Sequence, residues 1–508
     1  MRRQPMLHLR SFEGSDPGFR LLIDGKWRAA QGGSSFAAHD PYLETDWGQV
    51  ADAQPTDIDA AVKAAAGAFA DGRWSGRLAA DRSRSLFRLA DLIERDADRL
   101  AHQQIFENGK LISEMSPGIG AVAADCRFFG GLAESMNGAT VPSPRPGFAT
   151  FTLREPVGVV AAITPWNTPL GLLGWKVFPA LAAGNTVVVK PSEVTPTSTL
   201  MLAELVREAG IPDGVVNVVT GGRATGAALV AHPDVAKIAF TGSTATGQAI
   251  ASEAARRSVR VTLEMGGKSP NIIFADADLD NAVNGVMAGI FAASGQTCIA
   301  GSRVLVQTQV YDRVCEMLAE RASRLIAGDP LDPATQLGPL ASRAQLQKVQ
   351  SYLTVAEEEG LSCVTGGRRL ERQGYFIAPT VYRDVPPASR VAREEIFGPV
   401  AAMIRFGSED EAVRIANDTR YGLAAGIWTE NLRCAHRMLQ RIRAGTVWVN
   451  NYRVLGHTMP FGGFGQSGIG REMGTAALDA YTEVKSVWID TGNKIEFKVG
   501  PERGANGS

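Results

Sequence analysis

Three side chains suited to acyl chemistry stand out: a thiol, a carboxylate and an amide. Cys298 ends Phe291-Ala292-Ala293-Ser294-Gly295-Gln296-Thr297-Cys298, just after an apolar, helix-like run over 281–293. A thiol becomes a nucleophile where backbone approaches closely, substrate can enter and the thiolate is favoured, and Ser294 and Gly295 serve the first two needs. Glu264 ends the alternating run 259–263 and precedes Met265-Gly266-Gly267, so it reads as a carboxylate on a hinge. Partial desolvation there would raise its pKa toward that of a general base. Asn167, in Pro165-Trp166-Asn167-Thr168-Pro169, offers a side-chain N–H to an oxyanion. Taken singly, each has a plainer reading: a buried structural cysteine, a solvated glutamate at a loop start and a turn asparagine.

The elements that must position these groups are short β-branched runs at 157–163, 186–190, 215–219, 237–241 and 259–263. Helices are predicted between them: one opened by Ser198-Thr199 and stopped by Gly210, then 224–231 and 243–255. Strands and helices alternating at this spacing predict a parallel, doubly wound sheet, whose ligands sit beyond the carboxyl ends of the strands. Lys190, Gly242 and Glu264 fall at such ends. Gly242-Ser243-Thr244-Ala245-Thr246-Gly247 lies between a strand and a helix, where a phosphate can rest on free N–H groups, although it departs from the GxGxxG pattern. Earlier, Ile58, Val62, Ala65 and Phe69 predict an amphipathic helix capped at Thr56 with Asp59, and Leu86, Leu89, Ala90 and Ile93 predict a second.

Composition narrows the setting. The 508 residues exceed one ordinary core, so two large lobes with appendages are expected. A net charge of −1, with no basic stripe, gives no case for nucleic acid or an anionic membrane. No apolar run reaches spanning length, and Met1-Arg2-Arg3 is not followed by a signal-peptide core. Five scattered cysteines without a CxxC pair point to a reducing compartment, with cytoplasm the default. The six histidines show no metal-ligand spacing, so no metal is expected.

Seven segments, taken in order, resemble the NAD(P)-dependent aldehyde dehydrogenase superfamily from about residue 20 to about residue 490. They are PWN at 165–167, KPSE at 190–193, FTGST at 240–244, LEMGGK at 263–268, FxxxGQxC ending at Cys298, EEIFGPV at 394–400 and PFGG at 460–463. The resemblance implies an α/β fold: a Rossmann-type cofactor domain (16–136 and 156–266), an α/β catalytic domain (267–475) and a small β oligomerisation flap (137–155 and 479–496). It implies a homodimer or homotetramer. At the flap end, Phe464-Gly465 follows PFGG where many members have a variable residue and then a lysine.

By the same resemblance, Cys298 attacks the aldehyde carbonyl, Asn167 and the Cys298 N–H hold the oxyanion, hydride leaves for the cofactor, and Glu264 activates the water that hydrolyses the thioester. Cofactor contacts would come from Ile163, Thr164, Pro165, Trp166, Lys190, Ser192, Glu193, Gly222, Gly226, Phe240, Gly242, Ser243, Thr246, Met265, Gly266, Glu395 and Phe397. Glu193 accepts from a free ribose 2′-hydroxyl and repels a 2′-phosphate, so NAD is expected over NADP, although Lys190 would also suit a phosphate. The substrate tunnel would be lined by Thr168, Leu172, Trp175, Ala292, Thr297, Ile299, Arg453, Leu455, His457 and Phe461. Small Thr168 and Ala292 leave room, and Arg453 with His457 at the mouth suits the acid group of a semialdehyde or other acid-bearing aldehyde. Alternatively, Arg453 is solvated or bridges subunits. Coenzyme A-dependent members lack the glutamate base, which makes a free acid the expected product. A non-catalytic protein on the same scaffold and a cysteine hydrolase are the other readings; the second lacks a histidine partner.

Overall fold

The run 157–163 forms a strand because Val, Ile and Ala there can be buried on both faces of a sheet. In the computed structural model, which describes residues 18–492, every residue of the strand Val159–Ile163 is buried. It is the centre of an eight-stranded sheet. On one side lie Thr186–Lys190, Val216–Val218, Leu21–Ile23 and Lys26–Arg28; on the other lie Lys237–Thr241, Arg260–Glu264 and Gly468–Ile469. The five strands from Arg260–Glu264 to Val216–Val218 run parallel. Chain order reverses between Val159–Ile163 and Lys237–Thr241, and the crevice outside a reversal of this kind is where such sheets bind ligands.

A second sheet has seven strands in the order Ser362–Thr365, Thr380–Arg383, Val400–Phe406, Arg303–Gln307, Pro270–Ile273, Ala424–Trp428 and Thr446–Val449. All its pairings are parallel except that of Ser362–Thr365 with Thr380–Arg383. Outside both, Phe148–Pro156 and Thr482–Asp490 pair antiparallel along their whole lengths, from Phe148 opposite Asp490 to Pro156 opposite Thr482. This ribbon carries exposed Leu153, Val484, Trp488 and Ile489. The residues expected at 16–17 in the first lobe and at 493–496 in the flap lie outside the described residues.

The sequence expectation misplaces one cap. The first long helix is Pro55–Ala70, and its capping box joins Gln54 to Asp57. Pro55 sits at its first position, where a missing N–H costs nothing. Thr56 and Asp59 already lie inside the helix, and Asp59 pairs with Lys63 one turn on. The helix before Cys298 is Leu279–Ile290, ending earlier than the apolar run because Ala293 and Ser294 turn left-handed.

One buried ion pair ties the sheet edge to the interior. Lys176, on the apolar helix Pro169–Ala182, donates to Glu472 at 2.7 Å and to the Thr241 hydroxyl at 2.6 Å, and both charged side chains are almost fully buried. Removing one partner leaves the other uncompensated in low dielectric. Lys176→Met should therefore lose about 3–5 kcal/mol of stability, read as a lower urea midpoint; a midpoint equal to the parent's would contradict it.

Candidate active site

Extended residues alternate in direction, so Glu264, last in its strand, faces one way and Met265 the other. Glu264 turns into a cavity of about 140 Å³ lined by Pro165, Trp166, Asn167, Leu172, Thr241, Gly242, Ser243, Gly266, Cys298, Gln345, Lys348, Glu395 and Phe397. The thiol, the carboxylate and the amide singled out by residue type thus share one space. The main chain around Glu264 is pinned: Met265 N–H donates to Ser467 O at 2.9 Å, and the Ser467 hydroxyl donates to Gly266 O at 2.7 Å. Any swing of the carboxylate is a side-chain rotation.

Cys298 sits on a strained loop. Ala293, Ser294 and Gly295 have φ of 54°, 53° and 72°, left-handed geometry that costs roughly 1–2 kcal/mol per non-glycine residue. Gly295 has no alternative, since a Cβ there would lie 2.1 Å from Gly398 O. Ser294 is buried and donates to Gly338 O at 2.7 Å, so it anchors the loop and does not open a path for substrate. Gln296 is held by Ala341 N–H at 2.9 Å, and its own carbonyl accepts one N–H of Asn167 at 3.1 Å. That bond orients the amide and leaves its second N–H for another acceptor.

Burial dominates the electrostatics. The Glu264 pKa is pushed up to about 8, first by desolvation and then by the Glu472 carboxylate, with Lys176 opposing. Neither Glu264 oxygen makes a hydrogen bond of ordinary geometry. Burial also pushes the Cys298 thiol well above its usual range, and the Glu264 carboxylate adds to this. The protein groups around it therefore do not favour the thiolate, the one of the three needs to which the sequence assigned no residue. After burial, the groups that act most on the thiol are the Glu264 and Glu395 carboxylates, which raise it further; a positive charge at Glu395 and Phe397 would oppose them.

A larger cavity of about 600 Å³ continues along the sheet, lined among others by Ile163, Thr164, Pro165, Trp166, Lys190, Ser192, Glu193, Gly222, Gly226, Phe240, Gly242, Ser243 and Thr246. Ser243 caps the helix Thr244–Arg256, its hydroxyl accepting from Thr246 N–H at 3.3 Å. Lys190 and Glu193 face each other at 3.5 Å, the lysine buried and the glutamate half-exposed; burial lowers the lysine pKa. The Thr164 hydroxyl is buried there without a partner. Met265 alone among the expected cofactor residues lines neither cavity, because the strand alternation turns it toward Gly247, where a Cβ would meet its sulfur at 2.2 Å.

Groups not singled out from sequence also line these spaces. Gln345 and Lys348 reach the smaller cavity from the helix Arg343–Glu358, and Gln345 donates to Phe397 O at 2.7 Å, holding that residue at φ 61° with its ring edge-on to Trp166. Arg223 and Glu253 rim the larger one. The Lys176–Glu472 pair was legible only as a lone lysine in an apolar helix.

The expected tunnel residues do not form one group. Leu172 lines the smaller cavity, and Thr297 borders a separate small void. Trp175 donates to Asp125 at 3.0 Å and packs on Phe461 at 5.1 Å. His457 lies 4.0 Å from the same Asp125 and packs on Phe128, while Arg453 donates to Ala288 O at 3.0 Å. Ala292 is half-buried and Leu455 exposed, whereas Ile299 is buried, its carbonyl accepting from the Tyr452 hydroxyl. Arg453 and His457 thus have different neighbours, and Asp125 already faces the imidazole.

The aldehyde dehydrogenase family model matches residues 27–487, most of the chain. The chain belongs to the aldehyde dehydrogenase family. An aldehyde dehydrogenase of Aspergillus niger is 44% identical over 94% of this chain and 96% of its own. The (Z)-2-((N-methylformamido)methylene)-5-hydroxybutyrolactone dehydrogenase of Acinetobacter baylyi is 45% identical over 93% and 96%. An NAD+ complex of a Bacillus cereus aldehyde dehydrogenase superposes with a TM-score of 0.92 at 44% identity, covering 93% of this chain and 96% of that one. Relatives of similar identity thus carry a general name in one case and a substrate-specific one in another.

The thiol's environment generates a reactivity prediction. Alkylation of Cys298 in the protein without coenzyme should be slow at neutral pH and climb with pH, since its pKa is raised. Above about pH 8, where Glu264 ionises, Glu264→Gln should react several-fold faster than the parent because a repelling carboxylate is gone. Peptide-resolved mass spectrometry reads the rates; superimposable profiles would contradict the coupling.

Proposed function

We propose that the chain oxidises an aldehyde to the carboxylic acid with NAD as hydride acceptor, through a Cys298 thiohemiacetal and a thioester that Glu264 helps to hydrolyse. The observation carrying this reading is the single cavity in which Cys298, Glu264 and Asn167 meet Gly242, Ser243, Glu395 and Phe397. The Bacillus cereus relative in complex with NAD+ supports the cofactor. So do a partnerless Thr164 hydroxyl on the larger cavity and the free N–H groups at the start of Thr244–Arg256. Lys190, Ser192 and Glu193 would hold the adenosine ribose, with Ile163, Gly222, Gly226 and Phe240 around the adenine. Pro165, Trp166, Gly242, Ser243 and Thr246 would follow the pyrophosphate, and Gly266, Glu395 and Phe397 the nicotinamide ribose and ring.

When bound, NAD+ supplies a positive ring beside the sulfur and accepts the hydride. The sulfur adds to the carbonyl carbon, forming a C–S bond and an oxyanion. The free N–H of Asn167 and the Cys298 backbone N–H hold that oxyanion, favouring the tetrahedral state over the planar carbonyl. After oxidation to the thioester, Glu264 takes a proton from water as its oxygen attacks the acyl carbon, and the C–S bond breaks to return the thiolate. With a Glu264 pKa of about 8, hydrolysis strengthens as pH rises through that value.

Glu193 favours NAD over NADP, although neighbouring Lys190 would tolerate a phosphate. A semialdehyde or other acid-bearing aldehyde is one substrate class open to this site, with Arg453 as its cation, although Arg453 and His457 have different neighbours. The two-stranded ribbon, with four exposed apolar side chains, supports assembly into a homodimer or homotetramer. Domains at 16–136 with 156–266, 267–475, and 137–155 with 479–496 follow the same reading. All five cysteines are free thiols, which suits a cytoplasmic setting.

Cys298→Ala should abolish NADH formation from any aldehyde. Glu264→Gln should keep a stoichiometric NADH burst while steady turnover drops ~10²–10⁴-fold, read by stopped-flow absorbance; loss of burst and turnover together would overturn the assigned base. Glu193→Gln should raise the KM for NAD and lower that for NADP, shifting the ratio of kcat/KM by about ten-fold or more, since a charged hydrogen bond is worth ~1.5–3 kcal/mol. An unchanged ratio would remove Glu193 from the ribose site.

A further inference from the structure

Lys268 and Arg303 are two buried cations with no acid set against either. Lys268 lies two residues ahead of the strand Pro270–Ile273, and Arg303 opens the neighbouring parallel strand, opposite Pro270. Both are 2% exposed. Arg303 spends three donors on carbonyls: Lys268 O at 2.8 Å, Ile415 O at 2.8 Å and Ala416 O at 2.7 Å. The last two lie in the final turn of the helix Glu409–Asn417, and a helix end supplies only about half a negative charge. The Lys268 ammonium has no hydrogen bond or ion pair among the described residues.

A void lies where the two meet. Lys268, Ser269, Arg303, Thr419, Tyr421 and Arg443 are among the residues that line it, three of them cations, and no Asp or Glu among the described residues does so. The centre of a water-sized sphere has about 10 Å³ in which to move, room for one water or one halide and too little for a polyatomic oxyanion. The Ser269 hydroxyl is buried with no hydrogen bond of ordinary geometry. An ammonium taken out of water without a counter-ion is costly, and burial brings the Lys268 pKa down to about 7. Arg303, brought by burial only to about 10, keeps its charge at neutral pH. A water in the void would fill one donor and leave the excess charge, whereas a monovalent anion answers both. Outside, a cavity of about 250 Å³ is lined by Arg393, Glu394, Asp418, Thr419 and Arg420, and Thr419 borders both spaces, which makes the outer one the way in. Its acids are already paired, Asp418 with Arg393 at 2.5 Å and Glu394 with Arg390 at 3.0 Å. On the inner side, Lys268 follows Gly267, whose N–H donates to the Glu395 carboxylate at 3.2 Å.

We propose that the void is the site of one small monovalent anion, chloride in ordinary solution, bound by the Lys268 ammonium beside Arg303. By holding Lys268, the anion steadies the Gly267 N–H that fixes Glu395 on the wall of the smaller cavity. The site stands independently of the aldehyde oxidation proposed above. The test exchanges sodium gluconate for sodium chloride at constant ionic strength, in the parent and in Lys268→Met, which keeps the side-chain length and removes the charge. The parent should broaden the NMR resonance of chloride; bromide should reverse the broadening, and sulfate should not. Lys268→Met should broaden it several-fold less. NAD+ affinity, read by quenching of tryptophan fluorescence, should tighten at least about two-fold in chloride for the parent and stay unchanged for the variant. Equal broadening by parent and variant overturns the site. Chloride binding that leaves NAD+ affinity unchanged overturns the link to Glu395 and leaves the site standing. Should Lys268→Met not fold, the parent alone decides: crystals grown in bromide should show anomalous scattering from the void, and a water there in its place overturns the site.

Discussion

Desolvation of a thiol and a carboxyl group in one small space is the constraint around which this molecule is organised. Glu264 is buried and Cys298 half-buried, and the pKa of each rises in consequence. A buried acid near neutrality can exchange protons cheaply, which a solvated one at its ordinary pKa does poorly. The same burial makes the thiol a poor nucleophile until positive charge arrives, so the reactive state depends on what fills the neighbouring cavity.

Two sheets are needed because the groups come from different places. The carboxyl ends of Val159–Ile163, Lys237–Thr241 and Arg260–Glu264 deliver Asn167, Gly242 and Glu264, while the loop after Leu279–Ile290 delivers Cys298. Cross-links between them are short: the Asn167 amide on Gln296 O, and Gly267 N–H on the Glu395 carboxylate at 3.2 Å. The left-handed backbone at Ala293 and Ser294 is the strain that this arrangement tolerates.

Much of this was legible in the sequence, for identifiable reasons. Strands buried on both faces read as continuous β-branched runs, and their ends matched the runs to within one or two residues. Of the residues expected on the cofactor side, Ile163, Lys190, Gly242 and Gly266 line the two cavities because they sit at or just beyond strand ends. Met265, expected among them, lines neither cavity, because a motif read as a string ignores that neighbours in an extended chain face opposite ways. Gln345 and Lys348 escaped because a helix projecting two polar residues into a crevice looks like any solvated helix. The residues expected along a substrate tunnel were least legible: Arg453 and His457, only four positions apart, meet different partners.

The edge strand Gly468–Ile469 pairs with Leu263 and Glu264, and Ser467 and Glu472 flank it with the bonds that pin Gly266 and neutralise Lys176. During synthesis, the sulfur, the amide and most of both sheets leave the ribosome well before these residues do. Until residue 472 emerges, the nascent polypeptide carries an unpaired sheet edge and an uncompensated lysine beside its future reaction centre. Completion of the site is thereby a late event of biogenesis, because its edge strand and the counter-ion of its buried lysine are among the last parts of the fold to be made.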